Sequence, residues 1–164
     1  MTSYSKEVIR DLAAGQLPWP QTRRIMSAYK DDDRFFKMVA VYQDRVAWKD
    51  PILLPVSDHL FICQSGDERI TRCECGHSFG DYRKNWKLKA AINVRNTEES
   101  LREIYPNSDL PDPQWMEIRE FICPQCGTLH EVEACAPGYP VVHDFEPDLE
   151  AFYRDWLKQP LPKE

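Results

Sequence analysis

Cys73-Glu74-Cys75-Gly76-His77 and Cys123-Pro124-Gln125-Cys126-Gly127 are two short cysteine turns, each with a glycine directly behind its second thiol. One or two residues between ligands let a single turn aim both sulfurs at one point. The glycine accepts the positive φ that such a turn imposes. Four thiolates surround one Zn²⁺ tetrahedrally at about 2.3 Å and leave no open position. A site of that kind holds structure together and gives no place to a reacting water. The second turn has the full ligand spacing, and the first is one residue shorter. The ligand set read from spacing is Cys73, Cys75, Cys123 and Cys126. Pairing Cys75 with His77 is the alternative for the first turn, and His130 is a further candidate ligand.

A Cys-Pro-x-Cys pair also occurs as a redox dithiol, where a helix N-terminus after a strand lowers the thiol pKa. Gly127-Thr128-Leu129-His130-Glu131-Val132 reads instead as another strand, and the first cysteine pair has no role in that chemistry. Cys63 and Cys135 lie outside both turns and read as small apolar residues.

From these turns the rest of the chain falls into place. Before the first turn, His59–Cys63 and Arg69–Cys73 read as strands joined across residues 64–68, and the second strand delivers the chain to Cys73. Trp86, Leu88, Ala90, Ile92 and Val94 alternate with Lys87, Lys89, Ala91, Asn93 and Arg95, the pattern of a strand with one buried face. Asn96-Thr97-Glu98-Glu99 resembles a capping box that opens a short helix through Ile104 and Tyr105. Trp115–Ile122 reads as the strand into the second turn, with a return strand through Ala134. Two hairpins ending in two cysteine turns are the arrangement of a zinc ribbon, with a strand and a helix inserted between its halves.

Towards the N-terminus, Ser5–Leu12 and Gln21–Tyr29 read as helices. Asp31-Asp32-Asp33 precedes a third helix whose apolar face is Phe35, Phe36, Val39, Tyr42 and Val46. Three aspartates ahead of such a face read as a helix cap, where the dipole favours acid, rather than as a metal site. At the other end, Pro147 starts a helix with Leu149, Phe152, Tyr153, Trp156 and Leu157 on one face, to be buried against the chain's own core or a partner's groove. The expected fold is α+β: an antiparallel zinc-ribbon-like β core with N-terminal helices, a C-terminal amphipathic helix and extended proline-rich segments. The division read from the sequence is 1–58 helical, 59–135 zinc-ribbon-like with the inserted strand and helix, and 136–164 proline-rich arm and helix.

Composition narrows the function. The chain has 164 residues, a net charge of −6, 42% hydrophobic residues and thirteen prolines. Zinc-bearing β modules often meet nucleic acids, but a phosphate-binding surface needs clustered cations. The densest basic stretch, Arg83–Lys89, reads as the solvated face of a strand, so no nucleic-acid partner is expected. No stretch approaches the ~20 apolar residues of a membrane span. The start of the chain shows no apolar signal region, and metal-type cysteine spacing then fits a reducing cytoplasm. Neither a phosphate-binding glycine loop, a dinucleotide fingerprint nor a Gly-x-Ser-x-Gly turn occurs. His143-Asp144 is a neighbouring pair rather than a catalytic dyad, and His59 reads as a strand-end residue. No catalytic residue is assigned to this chain.

An ordered series of residues goes further: Arg72-Cys-Glu-Cys-Gly-His77, Asn85-Trp-Lys-Leu88, Glu103-Ile-Tyr-Pro106, Ile118-Arg-Glu120, Cys123-Pro-Gln-Cys-Gly-Thr-Leu-His130, Tyr139-Pro140, His143-Asp-Phe145 and Phe152-Tyr-x-x-Trp-Leu157. The series resembles the small gamma subunit of bacterial acetone carboxylase over nearly the whole chain. Carboxylases acting on acetophenone have comparable small subunits. The resemblance implies a cytoplasmic α₂β₂γ₂ enzyme that couples ATP hydrolysis to carboxylation of acetone with bicarbonate. It places ATP, Mg²⁺ and Mn²⁺ on the two large subunits, alpha and beta, and Zn²⁺ on this chain at Cys73, Cys75, Cys123 and Cys126. Two readings rival it: a free-standing zinc-ribbon adaptor for protein or nucleic acid, and a thiol oxidoreductase centred on Cys123 and Cys126. A third, a directly catalytic gamma chain using His77 or His130, requires an open zinc position.

Overall fold

The computed structural model describes residues 3–29 and 31–162. Three helices come first. α1 (Lys6–Ala13) is capped by the Ser5 side chain, which accepts from Val8 N, and α2 (Trp19–Ser27) enters through Pro18 and Pro20. α3 (Arg34–Arg45) has Asp33 at its N-cap position, without a side-chain cap bond. The aspartate that matters is Asp31, which is buried and bound by Arg34 Nε at 2.5 Å. Burial raises its carboxyl, but the Arg34 and backbone hydrogen bonds outweigh burial and hold its pKa at about 2. The expected cap is therefore an internal ion pair that fastens the start of α3.

Two antiparallel sheets follow. The first is a meander, β1 (Ile52–Ser57), β2 (Leu60–Ser65), β3 (Glu68–Cys73) and β4 (Ser78–Asp81), in sequence order. Ser65 pairs with Glu68 across a tight turn at Gly66 and Asp67. Its edge strand β1 was hidden in the sequence by Pro51 and Pro55. Proline is tolerated on an edge strand and at irregularities, and the β1–β2 register shifts between Pro55 and Ser57. The second sheet is β5 (Ala91–Arg95), β6 (Glu117–Ile122) and β7 (Leu129–Cys135), with β6 central. Between β5 and β6 lies α4 (Glu98–Arg102), whose N-cap Thr97 forms its reciprocal box with Ser100.

The long strand expected from Trp86 to Val94 is not formed. Residues Trp86–Lys89 make a 3₁₀ turn capped by Asn85, and the strand starts only at Ala91. Trp86 and Lys87, neighbours in sequence, are both buried, which an alternating half-buried strand does not allow. Ile92 and Val94, placed on the buried face by alternation, are 39% and 40% exposed.

The core has three parts. Leu53 and Ile62 of the first sheet pack with Leu149, Tyr153 and Leu161. Alternate residues of the same strands, Ile52 and Phe61, pack with Tyr42 and the α3 side chains Met38 and Val39. Leu60, Cys73 and Phe79 of the first sheet meet Trp86, Phe121 and Cys123, so this third cluster joins the two sheets. The C-terminal element is a turn of α-helix, α5 (Leu149–Ala151), continued as π-helix over Phe152–Trp156. Asp148, rather than Pro147, is the residue that caps it. Tyr153 reaches through the core to donate to Leu53 O at 2.8 Å, and burial pushes its pKa up to about 12. Trp156 turns outward and is 81% exposed.

Candidate metal centre

β3 and β6 end in turns of the same construction. In the first, Cys73 N donates to His77 O and Gly76 N donates to Cys73 O, with Gly76 at φ +99°. In the second, Cys123 N donates to Thr128 O and Gly127 N donates to Cys123 O, with Gly127 at φ +77°. Only a residue without a Cβ takes these φ values at no steric cost, so the glycine behind each thiol pair has a structural reason. The one-residue-shorter first turn closes as well as the second.

The turns bring four sulfurs together from two sheets. Cys73 Sγ lies 3.7 Å from Cys126 Sγ, and Cys75 Sγ lies 3.8 Å from Cys123 Sγ. Sulfurs arranged tetrahedrally about one zinc at about 2.3 Å stand about 3.8 Å apart, and these two pairs have that spacing. A disulfide needs about 2.05 Å, and all six cysteines are free thiols. The four ligand atoms lie within 4.8 Å of one another, and no histidine belongs to the group.

Electrostatics explain why such a group wants a cation. Burial pushes the Cys73 and Cys75 thiols up, whereas the Thr128 hydrogen bond pulls Cys126 down to about 6. A divalent ion with a preference for soft thiolate ligands reconciles four sulfurs at this distance. Cys73, Cys75, Cys123 and Cys126 are the residues that would hold it. A closed tetrahedron there would supply cohesion rather than an open position for a reacting water.

The turn around Glu74 is braced by α3 and by the chain leaving it. Trp48 Nε1 donates to Glu74 O at 3.0 Å, Arg45 reaches Glu74 Oε2 at 3.0 Å, and His59 Nδ1 faces the same oxygen at 2.5 Å. His59 is thus a support of the turn. His77 and His130 both pack edge-on against Phe79, with His130 also against Trp86. His130 has both ring nitrogens buried without a hydrogen-bond partner, and burial drives its pKa down to about 4. Cys63 is fully buried in β2, and burial lifts its thiol to about 12.

A second charged group escaped the sequence reading. Lys87, expected on a solvated strand face, has a fully buried side chain whose Nζ meets Glu131 at 2.5 Å, Glu133 at 2.9 Å and Asp144 at 3.0 Å. It also lies over the Phe121 ring, 5.1 Å from the centroid. Burial alone would lower its pKa, but the three carboxylates outweigh burial and raise it. The carboxylates are close enough to hold a metal, and the ammonium already occupies that position. The legible part of the signal was Glu131 and Glu133 two apart on one strand; nothing in the sequence pointed Asp144 at them.

A sequence profile described as the acetone carboxylase gamma subunit matches residues 46–157. The chain is 45% identical over 163 residues to the acetone carboxylase gamma subunit of Xanthobacter autotrophicus, covering 98% of this chain and 97% of that one. The chain belongs to the acetone carboxylase gamma subunit family. A more distant relative is the acetophenone carboxylase beta subunit of Aromatoleum aromaticum, 26% identical over 110 residues, or 66% of this chain and 78% of the relative. Members of the family are thus subunits of multisubunit carboxylases, and both cysteine turns fall inside the matched stretch. Among the described residues no helix is long and apolar enough to cross a membrane.

Proposed function

We propose that this chain is the small, structural, zinc-binding subunit of an ATP-dependent ketone carboxylase, bracing the large subunits that convert acetone, bicarbonate and ATP to acetoacetate. The observation that carries the reading is near-full-length identity of 45% to an acetone carboxylase gamma subunit, in a chain whose four clustered cysteines come from two sheets. Zn²⁺ at Cys73, Cys75, Cys123 and Cys126 contributes folding free energy, of order 10–16 kcal/mol in small structural sites. A closed site leaves no position for a zinc-bound nucleophile, so the chemistry falls to the partners, together with ATP, Mg²⁺ and Mn²⁺. The assembly proposed is α₂β₂γ₂, in the cytoplasm. The thiol oxidoreductase reading is disfavoured because Cys123 and Cys126 sit in the β6–β7 hairpin, whose turn leads into a strand rather than into a helix N-terminus.

Native mass spectrometry with metal analysis, on the chain purified from its own cell extract, tests this. The expected result is co-purification with two large subunits and one zinc per copy of this chain. A lone zinc-bearing chain would overturn the subunit role in favour of an adaptor, and a metal-free chain would overturn the zinc centre.

A further inference from the structure

Glu74 is the one residue between Cys73 and Cys75, so its φ and ψ aim both thiols of the first turn. Its amide, its carbonyl and its carboxylate are all tied to the first half of the chain. The N–H donates to His59 O at 2.9 Å, and the carbonyl accepts from Trp48 Nε1 at 3.0 Å. Oε2 meets Arg45 Nη2 at 3.0 Å and His59 Nδ1 at 2.5 Å. The Trp48 ring also stands against the turn, 3.4 Å from where a Cβ on Gly76 would lie, and carries the Arg72 guanidinium 5.1 Å from its centroid. Arg45 closes α3, while Trp48 and His59 flank β1, so none of these braces comes from the second sheet.

The second turn is held differently. Cys123 packs in the core that joins the sheets, but Pro124, Gln125, Cys126 and Gly127 beyond it are exposed. Apart from the sulfur contacts across the centre, its hydrogen bonds are internal: Cys123 N to Thr128 O, Gly127 N to Cys123 O, and Cys126 Sγ with Thr128 Oγ1 at 3.1 Å. A ligand pair already aimed loses less freedom on binding than one that must be ordered. Partners just outside the ligands set metal affinity by about 10–100-fold.

We infer that Glu74 is a positioning residue for the metal: α3, Trp48 and His59 hold the Cys73–Cys75 turn in ligating geometry before the ion arrives, and the Cys123–Cys126 turn closes onto it. The inference deepens the zinc reading above and rests on it. By linkage, whatever the brace adds to zinc affinity, zinc returns to the docking of α3 on the turn. A purely electrostatic role for Glu74 makes the opposite forecast at Arg45. Removing a cation beside four thiolates would tighten Zn²⁺, whereas loosening the turn weakens it.

The test measures zinc affinity of the full chain by chelator competition, and substitutes Co²⁺ for zinc to read the thiolate geometry from its absorption. Glu74→Ala is expected to weaken zinc about tenfold or more and to alter the Co²⁺ spectrum. Arg45→Met, which keeps an aliphatic stem beside Tyr42, should weaken zinc several-fold, and Trp48→Phe, which removes the indole donor, likewise. Tyr153→Phe, a loss in the core away from the turn, serves as control and should change neither affinity nor spectrum. Without any substitution, zinc removal should leave the amides of residues 73–76 protected from hydrogen exchange while those of 123–127 exchange markedly faster. Parent-like affinity of Glu74→Ala, tighter binding by Arg45→Met, equal weakening in Tyr153→Phe, or equal loss of protection in both turns overturns the positioning role alone. A parent chain that binds no zinc overturns the zinc centre, and the positioning role with it.

Discussion

Replacing Lys87 by Met should destabilise the protein far more than a surface lysine would allow. The Lys87 side chain is fully buried, and its ammonium is held by Glu131, Glu133 and Asp144. Methionine keeps most of the volume but leaves three carboxylates facing one another without a cation. Breaking a buried ion pair from one side costs about 3–5 kcal/mol. Here the carboxylates retain 31%, 20% and 50% exposure and can partly rehydrate, so the lower end, about 3 kcal/mol, applies. For a chain of this size that is a fall in Tm of about 6–12 °C. The measurement is urea and thermal unfolding of zinc-saturated protein, followed by tryptophan fluorescence and circular dichroism. Adding Glu133→Gln to Lys87→Met removes one uncompensated charge and should recover part of the loss, a coupling that only contacting residues show. The folded pKa of Lys87 is raised above its ordinary 10.5. Its contribution is therefore fully present below about pH 10.5 and is lost as pH rises through the folded value. A Lys87→Met loss below about 1 kcal/mol, with no coupling to Glu133, would place this lysine in solvent and refute the cage.

Four further outcomes follow from the same geometry. Serine at any of Cys73, Cys75, Cys123 or Cys126 should abolish stoichiometric zinc, while His77→Ala should retain one zinc per chain; metal analysis after gel filtration decides, and zinc loss in His77→Ala would move the ligand set. Asp31→Asn should cost about 2 kcal/mol at neutral pH, the equivalent of its depressed pKa. That stability is present above the unfolded value of 3.8 and is lost as pH falls towards about 2, so the variant's acid unfolding should be shallower there. Gly76→Ala should cost about 1–2 kcal/mol, because φ is +99° and the new Cβ would sit 3.4 Å from Trp48 Cδ1; a chelator competition should show weaker zinc retention. Tyr153→Phe should cost about 1–2 kcal/mol in urea by removing the buried hydroxyl that pairs with Leu53 O.

What could be read from the sequence was local. Each cysteine turn carried its own evidence in the spacing of two thiols and a glycine, and the hairpin strands β2, β3, β6 and β7 were visible as short apolar or alternating runs beside them. The misreadings share a cause, which is that a non-local partner overrode a local pattern. Alternation from Trp86 to Val94 satisfied the strand template, yet Glu131, Glu133 and Asp144 draw Lys87 inward and Trp86 fills the gap between the sheets, so the backbone turns there. Asp31 looked like a cap because Arg34, its partner, also belongs to an amphipathic helix. Pro55 disguised β1, whose place at the sheet edge makes the proline harmless. The C-terminal face of Leu149, Phe152 and Tyr153 was legible as apolar, but its periodicity did not reveal the π-helical winding or that Trp156 would point away.

The second sheet shows what a metal at the junction would add. Of its strands only β6 is substantially buried, and two of its buried residues, Glu117 and Arg119, are a charged pair held at 2.6 Å rather than apolar core. β5 is exposed along nearly its full length, and β7 alternates between exposed and half-buried positions. Such a sheet buries too little apolar surface of its own to stand alone. Its attachment to the first sheet runs through an aromatic contact, Phe79 to Trp86 and Trp86 to Phe121, and through the turns that carry the four sulfurs. Two of the six fully packed members of the joining cluster are themselves thiols, Cys73 and Cys123. If these sulfurs share one ion, it sits beside the apolar cluster that joins the sheets, and coordination would add cohesion that the second sheet lacks in buried area of its own.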